Sequence, residues 1–510
     1  MGIRENRNIR WGVILSYVSF GISLIGTFLI TNRVLNLIGD YNYGLYSFVN
    51  SITTWLTVVS SALIASYIRF TSLEAIENNG DVSRTNTLYL KMLLILGCFV
   101  LFFGLGTIGV LYGLHINFGK YEWEDSKLIY LLFVFSILNI AITLPVTIFT
   151  QFINYKKEFI YERLLLIFTT IATFTGHFLI AFFTKNILLI SVYSIVLTII
   201  NFLINFVFCK KRLGISFEKT YFNENKTLIR AIVLFSSVLV INSIVDQINS
   251  QVDKTLLGIF STPENVTIYQ MGMQFGVYLT TLTVAVSSVY VPQIYDLYAN
   301  NRLEEVNRLF LRVSRVQAIV VTFVAFGFVA CGYDFILWWL GKNRIYAYYC
   351  GVVLMLMKIM PLSVKLSIEI QRAANKHKFR SLLYVTVAVL NVLLSILLLV
   401  LLPENQAIFA CLIGTVVSGI LCHWIAMNIY NKKVMKLPIE KHLFQVIKQI
   451  AFGVASAGVI ILIFKYCFNS MESVLLRFLI EGISYVFVYV VLLLVFDRRF
   501  IFSFIKKRKA

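Results

Sequence analysis

The sequence predicts an all-α polytopic membrane protein of about fourteen transmembrane helices, set out as two six-helix lobes followed by two further C-terminal helices. Three observations carry that prediction. Mean hydropathy is +0.81, with 59% apolar and only 14% charged residues, a composition that calls for lipid as the surrounding solvent. Apolar runs of about twenty residues recur along the chain, each near the length that crosses a ~30 Å hydrocarbon core at ~1.5 Å per residue. The 45 Lys and Arg outnumber 25 Asp and Glu and fall mostly in alternate connections between runs, an asymmetry that puts both termini in the cytoplasm.

Taken in order, the first run, 10–31, follows a basic start and has no small-residue cleavage site, so it is expected as a retained helix and not a signal peptide. Runs 44–67, 88–111, 128–152, 162–183 and 187–208 complete a first lobe over 1–230, with Pro145 interrupting the fourth. Runs 231–258, 268–292, 316–339, 348–370, 381–402 and 407–429 form a second lobe over 231–430, with Pro361 in the tenth. The last two, 449–468 and 475–496, lie in 431–510. At an offset of 223 residues, Tyr46, Leu56, Thr57, Ala62 and Tyr67 match Tyr269, Leu279, Thr280, Ala285 and Tyr290, which is why the halves are expected as parallel repeats. The connections after the second and eighth runs are expected as helices along the membrane interface. The second of these has an apolar face of Ile294, Leu297, Leu309, Phe310 and Val313.

Several functions are disfavoured. No connection is long enough for a soluble catalytic domain, and His115, Glu122, Glu124 and Asp125 share one short outer loop without partner residues, so no enzyme is expected. The seven cysteines are scattered with no CxxC spacing, and no metal or other cofactor is implied. The basic balance is a topology signal, so no nucleic acid is expected as a partner.

The polar residues inside the runs carry the chemistry. In the seventh, Asn242, Asp246, Asn249 and Asp253 recur on one helix face, flanked by Ser243, Gln247, Ser250 and Lys254. The first two helices of each half hold the other polar stripes, among them Thr54, Thr57, Gln270 and Gln274, as expected for lobes facing a shared cavity. In the tenth run Lys358 and Lys365 stand two helical turns apart on one face, with Glu369 one turn further. A cation at the membrane centre costs at least ~2.5–3.5 kcal/mol and marks a substrate path or an ion pair. Lys358 is ~15 Å from the outer end; Lys365 is ~25 Å in, where snorkelling to the inner interface is the alternative. With Arg33, Arg69 and Lys254 these cations suit a phosphate-bearing substrate. A pairing of Lys358 with Asp246 or Asp253 is the competing reading. Asp246, Asp253 and Glu369 are candidates for gating or for coupling to a proton or sodium gradient.

The segments Asn32-Arg33-Val34-Leu35, Tyr43-Gly44-Leu45-Tyr46, Gln251-Val252-Asp253-Lys254 and Leu257-Gly258, in that order, precede Tyr269 and then Pro292 at the end of the eighth run. With the helix count, they make the chain resemble the polysaccharide (O-antigen or capsule type) flippases of the multidrug/oligosaccharidyl-lipid/polysaccharide exporter superfamily. The resemblance implies a V-shaped pair of lobes that moves undecaprenyl-diphosphate-linked oligosaccharide across the bacterial cytoplasmic (inner) membrane by alternating access, leaving the lipid tail among membrane lipids. It also implies a place beside a polysaccharide polymerase in O-antigen or lipopolysaccharide assembly. Arg33, Asp253 and Lys254 match family positions; Lys358 and Lys365 rest on burial and sign. The lipid II flippases, also with fourteen helices, and the cation-coupled multidrug exporters, typically with twelve helices and acidic sites, stay open as alternatives.

Overall fold

A computed structural model describes residues 3–498 apart from 223, 289, 375, 377 and 468–470, and every regular element among them is helical. Contacts part the chain into two compact units, Met1–Thr267 and Ile268–Ala510. The repeat suggests a division at residue 230; by packing, the seventh run belongs to the first unit.

In the first unit α1 (Ile3–Gly26) passes through a π-helical turn into α2 (Asn32–Ile38). Next come α3 (Asp40–Thr53), a 3₁₀ turn over Thr54–Thr57, and α4 (Val58–Glu77). The remaining helices are α5 (Ser83–Gly113), α6 (Trp123–Tyr155), α7 (Phe159–Thr184), α8 (Ile187–Lys211) and α9 (Lys226–Phe260). α1 packs on α7, α6 on α5 and α8, and α9 on α3 and α4. Small residues allow close approach between α9 and α3 and between α3 and the start of α10 (Pro263–Ser288). A Cβ on Gly258 would stand 1.9 Å from Cδ2 of Phe48, and one on Gly44 would stand 1.9 Å from the Pro263 carbonyl oxygen. The glycines of both sequence motifs are therefore points of close approach. Hydroxyls bridge the same helices: Ser51 to Thr255 at 2.9 Å, and Ser236 to Ser66 at 3.1 Å.

The second unit is formed by most of α10 (Pro263–Ser288), then α11 (Val291–Ala299), α12 (Leu303–Trp339), α13 (Tyr346–Met357), α14 (Ile359–Ser363), α15 (Lys365–Ala373) and α16 (Lys378–Leu401). α17 (Ala407–Gly419), a π-helical stretch over Ile420–Ala426, α18 (Met427–Lys433), α19 (Ile439–Cys467) and α20 (Val474–Phe496) complete it. The 37-residue α12 is the pillar, with α13, α14, α19 and α20 packed on it. The Tyr485 hydroxyl donates to the Phe323 carbonyl at 2.8 Å, Tyr489 meets Thr322 at 3.0 Å, and Arg477 forms a two-pronged ion pair with Asp334. The two C-terminal helices are thus fastened to the ninth-run helix along its length.

Eleven helical stretches among the described residues are long and apolar enough to cross a membrane. Of the predicted runs, the seventh, eighth and tenth are not among them. They occur as α9, α10 and the interrupted series α13 to α15. The repeat offset survives in the helix starts, since α3 begins at Asp40 and α10 at Pro263, 223 residues apart.

Three sequence expectations are corrected. Pro145 does not interrupt its helix, because α6 runs unbroken for 33 residues and forgoes only the bond that proline cannot donate. No separate helix follows the second run, since α4 continues to Glu77. After the eighth run the expected interfacial helix is split between α11 and the first turns of α12. Its apolar face does not lie on a membrane surface: Ile294, Leu297, Phe310 and Val313 are buried with Leu366, Ile370 and Leu437 in one core.

Candidate functional site

The tenth run breaks where its cations lie. α13 ends at Met357, Lys358 has φ −80° and ψ −9°, and Val364 has φ −99° and ψ 13°. Pro361 is the cause, since it has no N–H for the Met357 carbonyl and its ring crowds the preceding turn. The helix is therefore irregular at this depth, and the two lysines stand at successive joints. Lys365 opens α15 and is half-buried.

Lys358 is held by α10. Its ammonium donates to the Gly276 carbonyl at 3.1 Å and to the Thr280 hydroxyl at 3.1 Å. Gly276 makes the room: a Cβ there would stand 3.3 Å from Cε of Lys358 and 3.5 Å from Nζ. One turn earlier, a Cβ on Gly272 would stand 2.5 Å from Cβ of Cys350, which shows how closely α10 crosses α13. On the same helix the Gln270 and Gln274 side-chain carbonyls are buried without a hydrogen-bond partner among the described residues. Such acceptors need a donor from solvent or ligand. Two neutral groups, a carbonyl and a hydroxyl, thus accept from the Lys358 ammonium.

The other predicted residues are dispersed. Glu369 is paired with Arg372 at 2.8 Å. In the first unit Arg33 is exposed on α2, and the exposed Arg69 stacks its guanidinium over Phe235 at 4.3 Å. Asp253 and Lys254 are buried in α9 at 9% and 7% exposure. The side chains of Asn242, Asp246 and Asn249 lie outside the described residues.

Two features escaped the sequence reading. His423 gives no periodic signal; it sits beside Tyr384, ring centroids 5.2 Å apart, on one of the π-helical turns that often occur at functional sites. In the first unit a cavity of about 120 Å³ is lined by Tyr46, Asn50, Thr54, Asn139 and Ser194 beside the 3₁₀ turn. The Thr198 hydroxyl donates to Asn139 there at 2.7 Å. These neutral groups come from three sequence-distant helices, and no spacing rule connects them.

The helical arrangement is that of the MATE transporters and their superfamily. A multidrug resistance MATE family transporter of the MOP superfamily, in an inward-facing conformation, aligns with a TM-score of 0.59 at 11% identity, covering 88% of this chain and 98% of that one. A Vibrio cholerae MATE transporter aligns at 0.54 and 14% identity, covering 86% and 99%. A MOP superfamily transporter from Pyrococcus furiosus, described as having a binding pocket of reverse polarity that suggests a different function, aligns at 0.52 and 12% identity, covering 83% and 96%. No curated protein matches the sequence. The family model for polysaccharide biosynthesis proteins matches residues 6–298, and the chain belongs to that family.

Proposed function

We propose that this protein is a flippase that moves lipid-diphosphate-linked oligosaccharide across the bacterial cytoplasmic membrane by alternating access, with fourteen spans and both termini in the cytoplasm. The observation that carries the reading is the Lys358 ammonium, held by a carbonyl and a hydroxyl at the broken tenth-run helix of a polysaccharide biosynthesis family member. A diphosphate is the anionic part of such a substrate. Lys358 and Lys365 attract it, and the Gln270 and Gln274 carbonyls of α10, which have no partner among the described residues, accept from sugar hydroxyls. Arg33, Arg69, Lys254, Asn242 and Asn249 are further contacts in the first unit, while Asp246, Asp253 and Glu369 gate or couple the cycle to a proton or sodium gradient. A drug exporter would need an anion to hold cationic drugs, whereas the group best defined here is a cation. The Pyrococcus furiosus neighbour is described as having a binding pocket of reverse polarity, so the fold itself does not dictate a drug substrate.

The test is reconstitution in liposomes with a fluorescent undecaprenyl-diphosphate-linked oligosaccharide, following its accessibility to an impermeant quencher. Faster equilibration than in protein-free liposomes, inhibited by unlabelled diphosphate-linked substrate and not by the uncharged polyprenol, is expected. Equal rates with and without protein would refute the reading.

A further inference from the structure

A second charged site lies in the second unit, where the start of α19 meets α12 and the end of α20. Asp497, directly after the last apolar residue of α20, has a side chain with no solvent exposure. It accepts from Arg315 at 2.9 Å, from Gln449 at 2.9 Å and from Lys448, which also donates to the Phe496 carbonyl at 2.9 Å. Above this buried carboxylate is a cavity of about 490 Å³ whose lining includes Arg315, Lys441, Gln445, Lys448 and Glu440. Glu440 is engaged by Lys432. Arg315 and Lys448 pair with Asp497, and with Lys441 the lining holds three cations against the two acids Asp497 and Glu440, so positive charge is left over. The buried Gln445 carbonyl oxygen has no partner among the described residues.

The cavity also sits at a polar–apolar boundary. The apolar run of α20 stops at Phe496 and that of α19 gathers beyond Gln449. Phe444 lines the cavity, Ile447 and Phe496 are the chain neighbours of its lining residues Lys448 and Asp497, and the three are 72%, 62% and 60% exposed; Phe496 packs on Phe452 with centroids 5.7 Å apart. A soluble anion has no use for these apolar side chains. A phospholipid uses both parts, placing phosphate among Lys and Arg and acyl chains on the aromatic and aliphatic surface. We propose that this junction of α12, α19 and α20 binds the phosphate headgroup of an anionic glycerophospholipid, whose chains lie over Phe444, Ile447 and Phe496. The site is separate from the Lys358 site and does not depend on what that site transports.

Native mass spectrometry of the full chain in detergent, titrated with phosphatidylglycerol or phosphatidylcholine, tests this. Wild type should bind phosphatidylglycerol about tenfold more tightly, and Lys441→Gln should weaken that binding by about fivefold. Lys448→Gln also disturbs Asp497, so Gln445→Glu is the cleaner second variant. It keeps the buried ion pairs, puts an anion in the cavity, and should weaken phosphatidylglycerol at least as much while leaving phosphatidylcholine unchanged. Lys465→Gln, at the other end of α19, should bind as wild type does. Equal binding of the two lipids would overturn the proposal, as would Lys441→Gln and Gln445→Glu both within about twofold of wild type. Displacement of the lipid by millimolar glycerol 3-phosphate would also overturn it, by marking a soluble-anion site.

Discussion

The Lys358 ammonium donates to the carbonyl oxygen of Gly276 at 3.1 Å, and the missing side chain of Gly276 leaves the space in which the lysine lies. On the proposed function, a cation held by two neutral acceptors stays in place until a phosphate, a stronger partner, competes for it. Gly276→Leu fills that space and should expel Lys358, reducing translocation by about 10- to 100-fold, the equivalent of one charge-assisted hydrogen bond. Gly276→Ala meets only the flexible end of the lysine and gains helix propensity, so its thermal stability should lie within ~1 kcal/mol of wild type.

Gly44→Ala should behave differently. Its Cβ would meet the Pro263 backbone at 1.9 Å, and backbone cannot rotate away. The expected loss is ~1–3 kcal/mol or more, read as lower thermal stability in detergent with ligand binding at Lys358 retained.

Pro361→Ala returns the N–H that a continuous helix requires. Stability should rise by ~1–3 kcal/mol as α13 and α14 join. Lys358 then leaves its joint, and the translocation rate should fall despite the more stable fold; thermal unfolding and transport measured on the same preparation separate the two effects.

Burial alone would raise the Asp497 carboxyl, but hydrogen bonds from Lys448 and Arg315 outweigh it and hold the group below the usual carboxylate range. The stability it contributes is therefore fully present above the ordinary carboxylate pKa of ~3.9 and is lost as pH falls through the lower folded value. Asp497→Asn should remove ~1.5–3 kcal/mol at neutral pH and flatten the acid limb of the stability profile, as followed by thermal unfolding between pH 3 and 7.

Much of this architecture was legible in the sequence, because lipid imposes a simple rule on composition and length. The polar stripe on residues 242–254, the 223-residue offset and the two lysines were visible as departures from that rule. Less visible was what the departures do to the backbone. The spacing of Lys358 and Lys365 assumes an ideal helix, whereas the segment around Pro361 has joints at Lys358 and Val364. Pro145 has the same chemistry in α6 and no such effect, since local packing decides whether a lost bond becomes a break. His423 and Asn139 were invisible for a different reason: each is a lone polar residue whose neighbours come from distant helices.

The most direct measurement is the rate at which a fluorescent diphosphate-linked oligosaccharide crosses liposomes containing wild type, Lys358→Met or Lys358→Arg. Lys358→Met should lose about 10- to 100-fold in rate while keeping its fold, and Lys358→Arg should recover part of the loss. Wild-type rates in Lys358→Met would contradict the central role given to this lysine.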